Sequence, residues 1–201
     1  CNNDPYVTGL IVQVPLPEHL QASVPEIQKT IDPKKDVDGF HPNNLKKLLD
    51  GDTNGFFPAT PAGVLLLLDD AGIELAGKHA VVIGRSNTVG KPLAQLLTSR
   101  GMTVEVVHRQ TPNPNEVIKR ADILCSAAGQ PKMVTADMVK PGAVVIDIGL
   151  TRVDGELLGD VDFDAVKEVA SAITPVPGGV GPMTVASLLK NCVMAAERQK
   201  K

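Results

Sequence analysis

The stretch HAVVIGRSNTVGKPLAQLL, residues 79–97, decides the fold class. It joins an apolar run of strand length to a glycine-containing turn and then to apolar residues at helical spacing. We therefore predict a buried strand over 79–84, a tight turn, and a helix over 89–101 that ends at Gly101. A strand, a turn and a helix in that order form the first part of a βαβ unit.

The same alternation continues to residue 174. Apolar runs predict strands over 103–108, 122–128, 143–149 and 171–174, and the segments between them predict helices over 113–121 and 162–170 and a helical turn over 135–142. Because these strands are apolar throughout, helices are expected to cover both faces of the sheet. The predicted fold class is α/β, with a Rossmann-like doubly wound parallel sheet.

The flanks of this alternation predict a second, smaller α/β domain. The first flank contains an apolar strand at 10–14 and a helix over 24–31, and residues 183–199 have apolar positions at helical spacing. Thr60 is a good N-cap, and Pro61 suits the first helical position. We predict an N-terminal domain over 1–59, a nucleotide-binding domain over 60–176, and a loop and C-terminal helix over 177–201 that return to the N-terminal domain.

Composition argues against two classes of partner. The net charge is −3, and four Phe, one Tyr and no Trp offer few rings for base stacking, so we expect no nucleic acid partner. No apolar run approaches the length of a membrane span, so we expect no membrane association. Cys1, Cys125 and Cys192 are odd in number and lack metal-ligand spacing, which favours free thiols in a reducing compartment, the cytoplasm.

The turn at 84–90 is the first candidate binding site. It reads GRSNTVG and departs from the dinucleotide fingerprint G-x-G-x-x-G, because Ser86 replaces the middle glycine and one extra residue precedes the last. Gly84 allows a tight turn, Ser86 and the N–H groups of the helix start can bind phosphate oxygens, and Gly90 lets the helix pack closely. An ordinary βα turn has the same spacing, so both interpretations stay open here.

A second signal lies where the second predicted strand ends. NAD-binding units place an acidic residue there for the ribose 2′-hydroxyl, whereas this chain has His108 and Arg109. Arg109 can bind a 2′-phosphate through two hydrogen bonds, and Arg85 can add a second charge. We therefore predict NADP rather than NAD as the cofactor, with solvated surface arginines as the alternative.

Polar side chains near other strand ends are candidates for a further ligand. Gln13 interrupts an apolar strand before a proline, where an amide is either hydrogen-bonded in the core or directed into a cleft. Asp36 and Asp38 lie two apart before Gly39, on one face of an extended segment or in an Asx-type turn. Asp147 ends a core strand, where ligands bind in open α/β sheets, or it caps the following loop. No third carboxylate has recognisable spacing, so no metal site is predicted.

Six segments together resemble one enzyme family. VQVPLP, KDVDGFHP, PATPAGV, VVIGRSNTVGKP, VVIDIG and ITPVPGGVGPMT look like the motif set of the bifunctional methylenetetrahydrofolate dehydrogenase/cyclohydrolase family, in that family's order and across the whole chain. The resemblance implies a folate substrate: NADP-dependent oxidation of 5,10-methylenetetrahydrofolate to 5,10-methenyltetrahydrofolate, then hydrolysis to 10-formyltetrahydrofolate. It also implies a homodimer formed through the nucleotide-binding domain.

The resemblance assigns roles to individual residues. Gln13 matches a glutamine that supports a catalytic lysine, and Asp38 matches an aspartate that hydrogen-bonds the pterin ring; these are the two predicted catalytic residues. The predicted cofactor-binding residues are Gly84, Arg85, Ser86, Arg109 and, beside the nicotinamide, Leu150. The predicted substrate-binding residues are Val12, Gln13, Val14, Asp38, Pro177, Gly178, Gly179, Val180, Gly181 and Thr184.

The resemblance also gives a role to the loop ITPVPGGVGPMT, residues 173–184. Prolines fix φ and remove N–H groups, whereas glycines allow close backbone approach. We therefore expect residues 177–181 to form a stiff, thin wall between pterin and nicotinamide, which is compatible with a rigid interdomain hinge.

One motif of the family has no match. The family carries Tyr-x-x-x-Lys upstream of VQVPLP, but the only tyrosine here, Tyr6, is followed four residues later by Leu10. We expect the chain to be a fragment that lacks this motif and binds NADP better than it turns over folate. The alternatives are a monofunctional or NAD-preferring dehydrogenase of the same family and a non-catalytic nucleotide-binding module.

Overall fold

The computed structural model describes residues 1–52 and 54–200, which form two compact units. The sheet unit contains residues 60–184. The flanking unit contains residues 1–59 together with the described residues from Val185 onward.

A parallel sheet of five strands forms the centre of the sheet unit. The strands of this unit are β1 His79–Ile83, β2 Thr103–Val107, β3 Ile123–Ser126, β4 Val144–Asp147, β5 Thr151–Val153, β6 Glu156–Leu158 and β7 Ala172–Ile173. The sheet has the order β2-β1-β3-β4-β7, and every pair in it is parallel. This is a doubly wound order, so the predicted α/β class with a Rossmann-like sheet is confirmed.

Alternate residues of β1 explain why the sequence forms a sheet with two covered faces. Ala80 and Val82 pack into one buried cluster with Leu93 and Leu97. Val81 and Ile83 point the other way and join a second cluster. Helices α3 Ala59–Asp70, α4 Gly90–Ser99, α5 Pro114–Ile118 and α6 Phe163–Val166 alternate with the strands.

The hairpin β5–β6 was not predicted. Its two strands pair antiparallel, and the turn between them is Asp154-Gly155, both with positive φ. Asp-Gly with positive φ at both residues is typical of a type I′ hairpin turn, so the Asp-Gly pair in the sequence does indicate a hairpin here. The predicted helical turn at 135–142 is a 3₁₀ turn of three residues, Ala136–Met138.

The flanking unit is irregular by comparison. It contains the 3₁₀ helix Glu18–Ser23, α1 Val24–Thr30 and α2 Pro42–Leu49. The predicted strand at 10–14 is wrong: the segment forms one isolated bridge, between Leu10 and Asp36. A strand requires a partner that is hydrogen-bonded along its length, and among the described residues only Leu10 of this segment pairs with another segment, through its N–H to the carbonyl of Lys35 at 2.6 Å.

The last helix, α7, spans Val180–Gln199 and begins three residues before the predicted start. The segment VGP of ITPVPGGVGPMT therefore belongs to a helix rather than a loop. Pro182 stands at the third helical position, where a missing N–H costs nothing, because the first four N–H groups of a helix have no partner inside it.

Candidate functional site

A cavity of about 540 Å³ opens at the carboxyl ends of β1, β2 and β3. Ligands of doubly wound sheets bind at this edge. Four predicted cofactor-binding residues, Gly84, Arg85, Ser86 and Arg109, line this one cavity. The other lining residues are Ile83, Val107, His108, Gln110, Pro114, Asn115, Ile118, Ala127, Ala128, Gln130, Met133 and Met138.

The turn after β1 has no space for a side chain at two of its positions, Gly84 and Gly90. Gly84 has a φ of +112°, and a Cβ there would lie 2.5 Å from the carbonyl oxygen of Ala127. A Cβ on Gly90 would lie 2.2 Å from the carbonyl oxygen of Gly84. Both positions therefore require glycine, which brings the backbone of the turn and the start of α4 close to the strand ends.

Ser86 caps the start of α4. Its Oγ accepts hydrogen bonds from the backbone N–H groups of Val89 and Gly90 at 3.1 and 3.2 Å, and its carbonyl accepts one from Lys91 N at 3.0 Å. Those N–H groups are thus paired within the turn, and the hydroxyl hydrogen of Ser86 remains the donor that a phosphate oxygen can use.

Two guanidinium groups give the cavity its charge. Arg85 Nη2 donates to Gln110 Oε1 at 3.0 Å. Arg109 follows β2 and is exposed, as expected for a side chain that reaches into a cleft. No carboxylate is present among the lining residues, so the cavity suits a dianionic phosphate and offers no acceptor for a ribose 2′-hydroxyl of the kind that NAD sites provide.

Leu150 does not line this cavity. It follows β4 and is 59% exposed. Asp147, at the end of β4, is buried and accepts hydrogen bonds from the N–H groups of Asp160 and Val161, both at 2.9 Å. Burial raises the pKa of Asp147 to about 6. Its carboxylate therefore fixes the chain after β6 rather than facing a ligand.

The two aspartates of the flanking unit have different environments. Asp36 is 1% exposed and accepts hydrogen bonds from His41 N and Asn44 Nδ2, both at 2.8 Å, and from Phe40 N at 3.3 Å. Asp38 is half-buried and has no hydrogen-bond partner within the described residues. Burial, and then the nearby Asp36 charge, raise the pKa of Asp38 to about 6. Asp36 is thus structural, and Asp38 is a carboxylate left available for a ligand.

The segment with Gln13 alternates between exposed and half-buried residues. Gln13 is exposed, and its Nε2 donates to the carbonyl of Val14 at 3.2 Å, so it is not a core amide. Val12 and Val14 on either side are half-buried. The bridge between Leu10 and Asp36 brings this segment alongside the one that carries Asp38.

The residues predicted to cover the folate surround the start of α7. Pro177 and Gly178 are exposed; the Val176-Pro177 peptide is cis, and Gly178 has a φ of +102°. A Cβ on Gly179 would lie 2.5 Å from the carbonyl oxygen of Pro175. Val180 is buried, and Gly181 has no atom within 4 Å of an added Cβ.

Thr184 ties α7 to α3 within the sheet unit. Its hydroxyl contacts Thr60 Oγ1 at 3.1 Å and the carbonyl of Val180 at 3.2 Å. A Cβ on Gly63 would lie 2.8 Å from the carbonyl oxygen of Met183, so only a glycine permits this approach.

Among the described residues, no group of three His, Cys, Asp or Glu side chains could hold a metal ion. None of the helices in the described part of the chain is long and apolar enough to cross a membrane.

Comparison with known proteins identifies relatives over the whole chain. The family profile described as "Tetrahydrofolate dehydrogenase/cyclohydrolase, NAD(P)-binding domain" matches residues 58–200, and its "catalytic domain" profile matches residues 1–38. "Bifunctional protein FolD" of Halalkalibacterium halodurans is 53% identical over 196 residues, which cover 98% of this chain and 69% of that protein.

Solved structures give the same result. The bifunctional FolD methylenetetrahydrofolate dehydrogenase/cyclohydrolase of Campylobacter jejuni is 46% identical with a TM-score of 0.95, covering 99% of this chain and 70% of that one. The methylenetetrahydrofolate dehydrogenase-cyclohydrolase of Trypanosoma brucei, solved with NADP and an inhibitor, is 40% identical with a TM-score of 0.91, covering 98% and 69%.

Proposed function

The chain belongs to the tetrahydrofolate dehydrogenase/cyclohydrolase family, and we propose how its residues serve that family's chemistry. The activity is NADP-dependent oxidation of 5,10-methylenetetrahydrofolate to 5,10-methenyltetrahydrofolate, followed by hydrolysis to 10-formyltetrahydrofolate. The predicted family, enzyme class and cofactor are thereby confirmed. The roles of individual residues remain our proposal.

One observation carries the assignment of NADP to this chain. The cavity at the strand ends contains Arg85 and Arg109 and no carboxylate among its lining residues. We assign the 2′-phosphate to Arg109, with Arg85 nearby, and the pyrophosphate to the Gly84 turn and the Ser86 hydroxyl. When bound, NADP accepts the hydride. We retain Leu150 as the residue beside the nicotinamide.

The remaining site residues serve the folate. Asp38 is the acceptor for the pterin ring, because its carboxylate is half-buried and lacks a partner within the described chain. Gln13, with Val12 and Val14, lines the cleft on the same unit. Pro177, Gly178, Gly179, Val180, Gly181 and Thr184 lie against the substrate, where the glycines allow close backbone contact.

The reaction depends more on alignment of the hydride donor and acceptor than on strongly acidic or basic side chains. Loss of hydride from the one-carbon bridge leaves a cation that the two adjacent substrate nitrogens stabilise. Water then adds to this carbon, one carbon–nitrogen bond breaks, and a proton is released to give the formyl product. The protein's contribution is to hold the reacting faces together and to admit one water molecule.

We also propose that the chain forms a homodimer through the sheet unit and works in the cytoplasm. Val153 and Phe163 are large apolar side chains in that unit with 39% and 38% exposure, which supports an interface there. The three free cysteines suit a reducing compartment. Light scattering of wild type and Val153→Asp tests the dimer: the wild type is expected at twice the chain mass and the variant at the chain mass.

The function is tested by following nucleotide reduction with 5,10-methylenetetrahydrofolate and either NADP or NAD. Asp38→Asn is expected to raise KM for the folate, whereas Glu26→Gln, an exposed carboxylate on α1, is the matched control and should not. Equal rates with NADP and NAD contradict the cofactor assignment. Nucleotide binding without any binding of folate, measured by calorimetry, supports the non-catalytic module instead.

A further inference from the structure

We propose that Gln130 is a positioning residue that holds Arg109 in place for the 2′-phosphate, and thereby sets the preference for NADP over NAD. This inference rests on the proposed function, because it assumes that Arg109 binds the 2′-phosphate. No feature of the sequence singled out Gln130, which lies in the turn after β3, far along the chain from Arg109.

The contact between the two side chains is specific. Hydrogen-bond complementarity assigns the oxygen of the Gln130 amide to the side facing Arg109, because the nitrogen there would face only donors. That oxygen then accepts from Arg109 Nη2 at 2.6 Å and Nε at 3.3 Å. Both residues line the same cavity. Gln130 therefore restrains the guanidinium along one edge and leaves its other donors for a ligand.

The backbone of Gln130 is itself fixed by a buried carboxylate. Asp160 is 0% exposed, and its Oδ1 accepts from Gln130 N at 2.8 Å. Its Oδ2 accepts from Ser126 Oγ at 2.9 Å, Ala128 N at 2.7 Å and Gly129 N at 3.2 Å. The turn from Ser126 to Gln130 is thus hydrogen-bonded to one side chain, the carboxylate of Asp160.

Asp160 is held in turn by its surroundings. Its backbone N–H donates to Asp147 Oδ1 at 2.9 Å. A Cβ on Gly149 would lie 2.0 Å from the Asp160 carboxylate, so the residue opposite it must be glycine. A buried carboxylate that accepts four hydrogen bonds keeps one position. The backbone of Gln130, which donates one of these bonds, is therefore held rigidly.

The amide side chain of Gln130 can restrain Arg109 without cancelling its positive charge. A free arginine side chain loses rotamer entropy when it is fixed, and a contact made before the ligand arrives reduces that cost. A glutamine does this without neutralising the guanidinium, whereas a carboxylate at the same position would compete with the phosphate for Arg109.

The test is a double-mutant cycle read by calorimetry on the full chain. The probes are adenosine 2′,5′-bisphosphate and AMP, which differ only in the 2′-phosphate. Gln130→Ala is expected to weaken binding of the bisphosphate about fivefold to tenfold and to leave AMP unchanged. Gln130→Glu should weaken binding of the bisphosphate further than Gln130→Ala does. In an Arg109→Ala background, Gln130→Ala should have no additional effect, because Gln130 acts through Arg109.

The outcomes separate this inference from the function on which it rests. If Arg109→Ala leaves the preference for the bisphosphate intact, the assignment of the 2′-phosphate to Arg109 fails. If Arg109→Ala removes the preference but Gln130→Ala does not lower it, only the role of Gln130 is overturned. Equal weakening of bisphosphate and AMP by Gln130→Ala also overturns it, since that is the result of a general loss of pocket shape. Gln28→Ala, on α1, is the matched glutamine control.

Discussion

The sheet unit and the flanking unit are built on different principles. In the sheet unit, apolar strands of nearly continuous hydrophobicity pair in parallel, and both faces are buried. In the flanking unit, a few buried polar side chains hold irregular backbone in place. Lys35 Nζ donates to three carbonyls, and the Asp36 carboxylate accepts three hydrogen bonds. Asn191 Nδ2 donates to the carbonyls of Val37 and Phe57.

This difference also separates the two candidate sites. The nucleotide cavity uses backbone and side chains at strand ends, where position follows from the sheet. The residues of the flanking unit that we propose bind folate depend on buried polar groups, because Asp36 accepts hydrogen bonds from two backbone N–H groups and one side chain that follow Asp38 in the chain. A substitution in the first region is expected to act through packing, and one in the second through unsatisfied hydrogen bonds.

The largest expected effect is in the sheet unit. Gly90→Val places side-chain atoms where even a Cβ would lie 2.2 Å from the Gly84 carbonyl oxygen, so the turn and α4 must separate. We expect the free energy of unfolding to fall by about 3 kcal/mol and NADP binding to be lost. Thermal unfolding and calorimetry measure both. Gly181→Ala, with no atom within 4 Å, is the stability control and should not lower Tm; a stable, NADP-binding Gly90→Val would contradict the packing account.

The next effect compares the two aspartates of the flanking unit. Asp36→Ala leaves buried N–H donors unpaired and should cost about 2 kcal/mol in unfolding free energy, measured by denaturant titration. Asp38→Ala should leave stability unchanged or raised and weaken folate binding instead. The opposite pattern, with Asp38 the costlier substitution for stability, would reverse the roles assigned here.

A third prediction uses the pKa of Asp38, which burial and Asp36 raise from 3.8 to about 6. Between these two pH values the folded state binds more protons at Asp38 than the unfolded state does, so this residue's contribution to stability falls as pH rises through about 6. Relative to Asp38→Asn, the wild type should therefore gain stability as pH is lowered from 7 towards 4. Asp147 is present in both proteins, so its own raised pKa cancels.

Folate binding should show the opposite trend, because in the role we propose Asp38 accepts hydrogen bonds from the pterin ring as the ionised carboxylate. Affinity is expected to weaken as pH falls through about 6 in the wild type, and this dependence should be absent in Asp38→Asn. Fluorescence titration over this range measures it. An identical pH profile in both proteins would remove Asp38 from the folate site.

The smallest effect belongs to a surface pair of the sheet unit. Arg100 binds Asp69 through Nη1–Oδ2 at 3.0 Å and Nη2–Oδ1 at 2.6 Å, and the two side chains are 40% and 44% exposed. Arg100→Ala should cost about 0.5 kcal/mol, less at high salt, by denaturant titration. A cost above that of Asp36→Ala would mean that exposed charges, and not buried polar groups, dominate the difference between the units.

The sequence was informative where hydrophobic periodicity determines structure. Every strand of the parallel sheet was predicted from apolar runs, and Gly84, Arg85, Ser86 and Arg109 were predicted to meet because strand ends of a doubly wound sheet converge. The false strand at 10–14 shows the limit, since an apolar run becomes a strand only when another segment pairs with it. Gln130 and Asp160 could not be found, because their roles depend on contacts between residues distant in the sequence.

We propose that Arg109 and its surroundings make the sheet unit an NADP site. Calorimetric titration of the chain with NADP and, separately, with NAD measures this preference. We expect NADP to bind at least about tenfold more tightly than NAD, and Arg109→Ala to bring the two affinities together. Equal binding of the two nucleotides by the folded wild-type chain, or binding of neither, would contradict the account.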